Sequence, residues 1–191
     1  MHIAIGAMGG EGGARLTVPA SIAALETLPD VALVLVGDRK VIEPQLRNLS
    51  DATLKRIDVL HTESVVSDEE KPSQVIRSNR TSSMFLATEL VQQGSVQAMV
   101  SAGNTGALLM AGRHLLKTIP GIQQPAIVAT LPGLTKPTYL LDVGANPHCD
   151  HQQLFEFAVM GSVLAESLSG KAVKVGLLNI GSEQHKGTSA V

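Results

Sequence analysis

Four short stretches carry the residue types from which an anion site can be built: AMGGEGGAR at 7–15, SAGNTGA at 101–107, DVGANPHCD at 142–150 and NIGSEQHKG at 179–187. Glycine lets backbone N–H groups approach an anion with no Cβ in the way, and a helix that starts at such a turn adds the positive end of its dipole. In SAGNTGA, Ser101, Asn104 and Thr105 offer side-chain donors, while Gly103 and Gly106 expose backbone. Gly9 and Gly10 do the same in the first stretch, and Gly144 beside Asp142 in the third. Lys186, followed by Gly187, is the best-placed cation for a bound phosphate. For any one turn a second reading stands beside this one: glycine serves a tight turn that needs positive φ, and the lysine is a solvated group near the end of the chain.

The same stretches exclude two familiar phosphate sites. SAGNTGA lacks the Lys-Ser/Thr ending of a nucleotide-binding P-loop, and GGEGGA does not match the dinucleotide fingerprint GxGxxG. His148, Cys149, Asp150 and His151 are too contiguous to aim at one tetrahedral ion, so no metal is assigned to them. Cys149 reads as a small residue at a helix start, with no base placed to activate it as a nucleophile. His61 and His114 fall at a strand end and on a helix face.

Strand-like and helix-like segments alternate, the pattern of βαβ units and a parallel sheet. HIAIGA, VALVLVG, RIDVLHT and SVQAMVSA read as strands, and so do PAIVATLP and TYLLDVGA, which a turn at Gly133 separates. KAVKVGLLNIG reads as a last strand, after which the chain runs out at GTSAV, so the sheet is expected to be incomplete at the C-terminus. LTVPASIAALETL, a segment from about Lys40 to Leu49, ALLMAGRHLLKTI and a segment from His151 to Ser169 read as helices. The last has Asp150 as N-cap and Gly170 as stop. SQVIRSNRTSSMFLATELVQQ runs to Gly94 as a helix with a polar break at SNRTSS. The expectation is a single α/β domain over 1–191 whose four glycine turns lie at the carboxyl ends of parallel strands, where open α/β sheets bind ligands.

With 44% hydrophobic and 17% charged residues, the chain can bury a core and is not disordered. Aromatic residues are 2% with no Trp, so the core must be Val, Leu, Ile, Ala and Met, which suits a parallel sheet covered by helices. A formal net charge of −2 with no basic run gives nucleic acid no electrostatic footprint. One cysteine excludes an internal disulfide framework and fits a reducing compartment, the cytoplasm. No stretch has the ~20 apolar residues of a membrane span.

IAIGAMGGEGG, KPSQVIRSNRTSSM, VSAGNTGALL, LLDVGAN, FAVMGSVLA and LLNIGSEQHKG, in this order and spacing, resemble the phosphate acyltransferases of the PlsX type over essentially the whole chain. Gly6 and Glu11 stand where that family's pattern IAIDAMGGD has Asp. The resemblance implies a three-layer α/β/α fold with a mainly parallel, Rossmann-like sheet, akin to the phosphotransacetylase and isocitrate-dehydrogenase group. It implies transfer of a long-chain acyl group from acyl carrier protein (ACP) to inorganic phosphate in bacterial phospholipid synthesis, with no cofactor. A homodimer associated with the inner membrane face is implied as well. Family members continue further, so the chain reads as an N-terminal portion.

On this reading Asn104, Thr105 and Lys186 hold phosphate, and Asn146 is the candidate donor to the tetrahedral oxyanion. The stretch from Arg77 to Ser83, including Ser82, serves the phosphate or the pantetheine, or is a solvated helix face. The alternative function is a truncated, non-catalytic domain that binds acyl-ACP or a partner protein. An oxidoreductase of isocitrate-dehydrogenase type is a third, weaker reading, disfavoured by the missing dinucleotide fingerprint and metal-binding Asp set.

Overall fold

The computed structural model describes residues 1–146, 148–179 and 181. The expected single domain meets a chain that divides into two compact units, Met1–Lys117 and Thr118–Val191.

In the first unit, β1 (His2–Gly6), β2 (Ala32–Gly37), β3 (Ile57–His61) and β4 (Ala98–Ser101) form a wholly parallel sheet in the order β3-β2-β1-β4. Period-two alternation along the strands sends side chains to two different cores. Leu33 and Leu35 of β2 join a cluster with Ala14, Val18 and Leu25 of α1 (Ala14–Thr27) and Ile42 and Leu46 of α2 (Arg39–Leu46). Val36 and Ala4 point the other way, against Ala87 of α5 (Ser83–Gln92) and Val96. Met84 and Phe85 of α5 join Val75 of α4 (Gln74–Arg77) and Ala107 and Ala111 of α6 (Thr105–Leu116). Helices therefore cover both faces of the parallel sheet expected from the alternation, in the three-layer, Rossmann-like arrangement that the family resemblance implies. Each fully buried Leu, Ile or Val contributes about 1.5–3 kcal/mol.

Two predicted helices break where polar side chains compete with the backbone. The segment from Lys40 to Leu49 ends as α2 at Leu46. Ser50 then starts α3 (Asp51–Leu54) by accepting the Thr53 N–H. The polar SNRTSS break separates α4 from α5: the Asn79 amide donates to Val65 O, and Ser82 Oγ caps α5 by accepting the Phe85 N–H at 3.4 Å.

The second unit departs further from expectation. β5 (Val128–Leu131) and β6 (Thr138–Leu141) pair antiparallel, because the residues between them, 132–137, are too few for the crossover of about a dozen residues that a parallel pair needs. α7 (His151–Ser169) has the predicted Asp150 cap, within a reciprocal capping box with Gln153, and stops at Gly170 in the left-handed region. Of residues 171–181, read as a last strand, the described ones, 171–179 and 181, are in neither helix nor strand. A strand exists through its ladder, and among the described residues none pairs with this segment.

Candidate functional site

The strand order fixes where a site belongs. From β1 the chain steps outward through β2 to β3, then returns to place β4 on the opposite side of β1. Loops leaving the carboxyl ends of β1 and β4 therefore diverge from adjacent strands, at the topological switch point where such sheets bind ligands. In the register, Gly6 lies beside Ser101.

The two loops touch through glycine. A Cβ on Gly9 would fall 2.9 Å from the Gly103 Cα, and one on Gly10 would fall 2.9 Å from Ala102 O, with Gly10 at φ +83°. No other residue allows this approach. Thr17 holds the start of the loop by donating its hydroxyl to Ala7 O at 2.6 Å and Gly13 O at 3.1 Å. Gly13, the N-cap of α1, offers no side chain to satisfy the first-turn amides. Among the described residues, the amides of Gly10, Glu11 and Gly12 meet no backbone acceptor. A run of amides converging on a helix start is the arrangement that binds an anion.

In the turn after β4, Ser101 Oγ accepts the Gly103 N–H at 3.3 Å, and Thr105 is exposed at the start of α6. Asn104 is spent differently. Its Oδ1 accepts the Ala107 N–H at 3.0 Å as the cap of α6, and its Nδ2 donates to the carbonyls of Ser67, Asp68 and Glu70 at 3.2, 3.3 and 3.0 Å. Gly106 packs on the same segment, since a Cβ there would lie 2.7 Å from Pro72 Cγ. The start of α5 also borders the end of β1, with Met84 Cα 3.6 Å from where a Gly6 Cβ would be. Ser82 and Ser83 are buried there, Ser82 as the α5 cap and Ser83 through its N–H to Ser64 O. Arg77 is exposed at the end of α4.

Of the residues proposed from sequence, the first unit thus brings Gly9 and Gly10 against the turn that carries Ser101, Gly103, Asn104, Thr105 and Gly106, with Ser82 and Ser83 at the start of α5, whose Met84 lies beside Gly6. Asp142, Gly144 and Asn146 belong to the second unit and follow an antiparallel strand. The Asp142 carboxylate accepts the N–H groups of Ile127 at 2.8 Å and Asn146 at 2.7 Å. Asn146 Nδ2 donates to Pro125 O and to Asp142, both at 3.1 Å, so its amide already serves the turn. Burial, followed by the charges of Asp142 and Asp150, raises the Cys149 pKa, which opposes a nucleophilic thiolate. Lys186 lies outside the described residues.

One cluster escaped the sequence reading. Asp38, His61 and Glu63, after β2 and β3, place one ligand-type atom each within 4.8 Å of one another. The polar residues directly after VLVG and VL were the available signal. All three are already engaged. Asp38 caps α2 through the Lys40 N–H, His61 Nδ1 accepts the Arg39 N–H, and Glu63 pairs with Lys40 Nζ at 3.0 Å. That bond to Glu63, with the charges of Glu63 and Asp38, raises the Lys40 pKa. His61 ends β3, and the His114 ring on α6 lies tilted against Phe85 with centroids 6.4 Å apart. Among the described residues no helix is long and apolar enough to cross a membrane.

Comparison with known proteins agrees with this architecture. Residues 1–191 match the family described as "Fatty acid synthesis protein". A phosphate acyltransferase from Vibrio campbellii is 47% identical over 190 residues, covering 99% of this chain and 56% of the relative. One from a Shewanella species is 49% identical over 193 residues, covering 100% and 56%. The chain therefore spans a little over half the length of these relatives. Among solved structures, the EutD phosphotransacetylase from Staphylococcus aureus superposes with a TM-score of 0.60 at 20% identity, covering 89% of this chain and 54% of that one, which shows a shared fold. With the family match extending over every residue and the relatives nearly half identical throughout, the chain belongs to the fatty acid synthesis protein family.

Proposed function

We propose that the crevice between β1 and β4 holds inorganic phosphate for attack on the thioester of a long-chain acyl-ACP, making acyl phosphate for phospholipid synthesis. The observation that carries this is the contact of two glycine turns at the switch point, beside amides at the start of α1 that meet no backbone acceptor among the described residues. The relatives' name, phosphate acyltransferase, supports the same chemistry.

A phosphate oxygen attacks the thioester carbonyl carbon, the carbonyl electrons move onto oxygen, and collapse of the tetrahedral species expels the carrier's thiolate, which takes up a proton. The thiolate leaves readily, so no protein nucleophile is required. The protein's task is to bring two anionic reactants together and to stabilise the oxyanion. Backbone amides of Gly10 to Gly12 and the exposed Thr105 hydroxyl supply the phosphate's donors, and the helix dipoles of α1 and α6 favour its charge. Lys186 is proposed, on its sequence position, as the neutralising charge. Asn146 and Asp142 build their own turn, and oxyanion stabilisation is assigned to backbone amides. No cofactor enters the scheme. A homodimer in the cytoplasm, at the inner membrane face, follows from the family resemblance.

The test is acyl-phosphate formation from palmitoyl-ACP and inorganic phosphate by the 191-residue chain. Turnover supports the proposal. Binding of acyl-ACP without turnover by folded protein supports the alternative, a binding domain.

A further inference from the structure

Among the described residues, Asn104 is the polar side chain of the SAGNTGA turn that reaches a distant segment. Its amide spans three carbonyls of residues 67–70, more than 30 positions earlier in the chain, while its Oδ1 remains on α6. The segment it grips is closed on itself, with Glu70 Oε1 accepting the Ser67 N–H at 3.0 Å, and its outer residues Asp68 and Glu69 are exposed carboxylates. Two residues later Pro72 seats on Gly106, so the acidic loop is fastened to the first turn of α6 at two points.

An acidic loop beside an anion site is a hazard unless its position is fixed. At a few ångströms' separation, like charges in a partly desolvated crevice repel strongly, and the repulsion falls with distance. With both amide hydrogens directed at the loop's carbonyls, Asn104 has no side-chain donor left for phosphate.

We propose that Asn104 is a positioning residue. It latches the Ser67–Glu70 loop onto the start of α6 and so keeps the loop's carboxylates from entering the crevice, while phosphate is bound by the neighbouring backbone amides. This inference rests on the phosphate reading above.

The experiment is backbone hydrogen exchange followed by mass spectrometry on the full 191-residue chain, with and without inorganic phosphate, in the wild type and two variants. Asn104→Ser keeps a capping oxygen but is too short to reach the loop, and Asn104→Asp keeps the cap while turning an oxygen toward the three carbonyls. In the wild type, phosphate slows exchange in 8–15 and 102–107. Asn104→Ser is expected to speed exchange of 67–71 about tenfold and to weaken phosphate protection of both stretches by a similar factor, and Asn104→Asp to do both more strongly.

Two results overturn the proposal with the phosphate site intact. In one, exchange of 67–71 rises while phosphate protects as in the wild type, which makes the latch irrelevant to binding. In the other, protection is lost while 67–71 is unchanged, which makes Asn104 a direct ligand. A wild type that phosphate protects nowhere overturns the site itself, and the role of Asn104 with it.

Discussion

The turn after β4 and the turn after β6 are built from similar letters, SAGN and DVGAN, yet their glycines and asparagines do different work. Gly103 is required by a neighbour: its Cβ would lie 3.2 Å from Gly9 Cα and 3.3 Å from Met84 Cε. Gly144 is required by its own backbone, at φ +87° with nothing within 4 Å of a Cβ. Asn104 ties its turn to a loop far away in sequence, whereas Asn146 ties its turn to Pro125 and to Asp142, four residues before it. The first turn is shaped by tertiary contact; the second is shaped locally and closes on itself. Composition alone does not tell an anion cradle from a self-satisfied turn.

Gly9→Ala tests the first half of this contrast most severely. Its Cβ meets backbone that cannot rotate away, so a loss of about 2 to 3 kcal/mol is expected by denaturant titration, with phosphate protection lost as well. A wild-type midpoint would mean that the two loops do not touch.

Asp142→Ala tests the second half. Removing the carboxylate strands the partly buried N–H groups of Ile127 and Asn146, and a loss of about 2 kcal/mol is expected, with faster exchange at 142–146 but not at 102–107. Gly144→Ala should cost less, about 1 kcal/mol, since only the left-handed backbone opposes it. If it costs more than Gly9→Ala, the distinction between the two turns fails.

The thiol beside the second turn gives a smaller effect. Because the Cys149 pKa is raised, less thiolate is present at a given pH than in an ordinary cysteine, so alkylation near pH 8 should be slower than for a free thiol. Its rate should climb with pH through a midpoint above the ordinary value, and Asp142→Asn should speed it. A fast-reacting Cys149 would revive the nucleophile reading.

Gly6→Ala sharpens the comparison from the permissive side. A Cβ there would sit 3.4 Å from Ser101 Oγ and 3.6 Å from Met84 Cα, ordinary contact distances, so stability should stay within about 0.5 kcal/mol of the wild type. A large loss would show the β1–α5 contact to be tighter than these distances.

Much of the fold was legible because it rests on local rules. β-branched apolar runs marked β1 to β3, polar residues at SNRTSS marked the break before α5, and Asp150 and Gly170 bounded α7. The strand read at 171–181 was not legible in the same way: its apolar pattern is that of a strand, but pairing is a property of two segments and no single one encodes it. The spacing between β5 and β6 did encode an antiparallel turn, and the rule of alternating elements overrode it.

By itself the sequence determined which turns would carry glycine, where helices would start and stop, and that strands and helices would alternate into a mainly parallel sheet covered by helices, because these follow from backbone conformational cost and from the periodicity of apolar side chains. Tertiary structure alone decided that β4 returns beside β1, that Gly9 and Gly103 meet, and that the Asn104 amide is consumed by a loop. Each of these depends on distances between residues far apart in the chain, which only the packed sheet and its covering helices set.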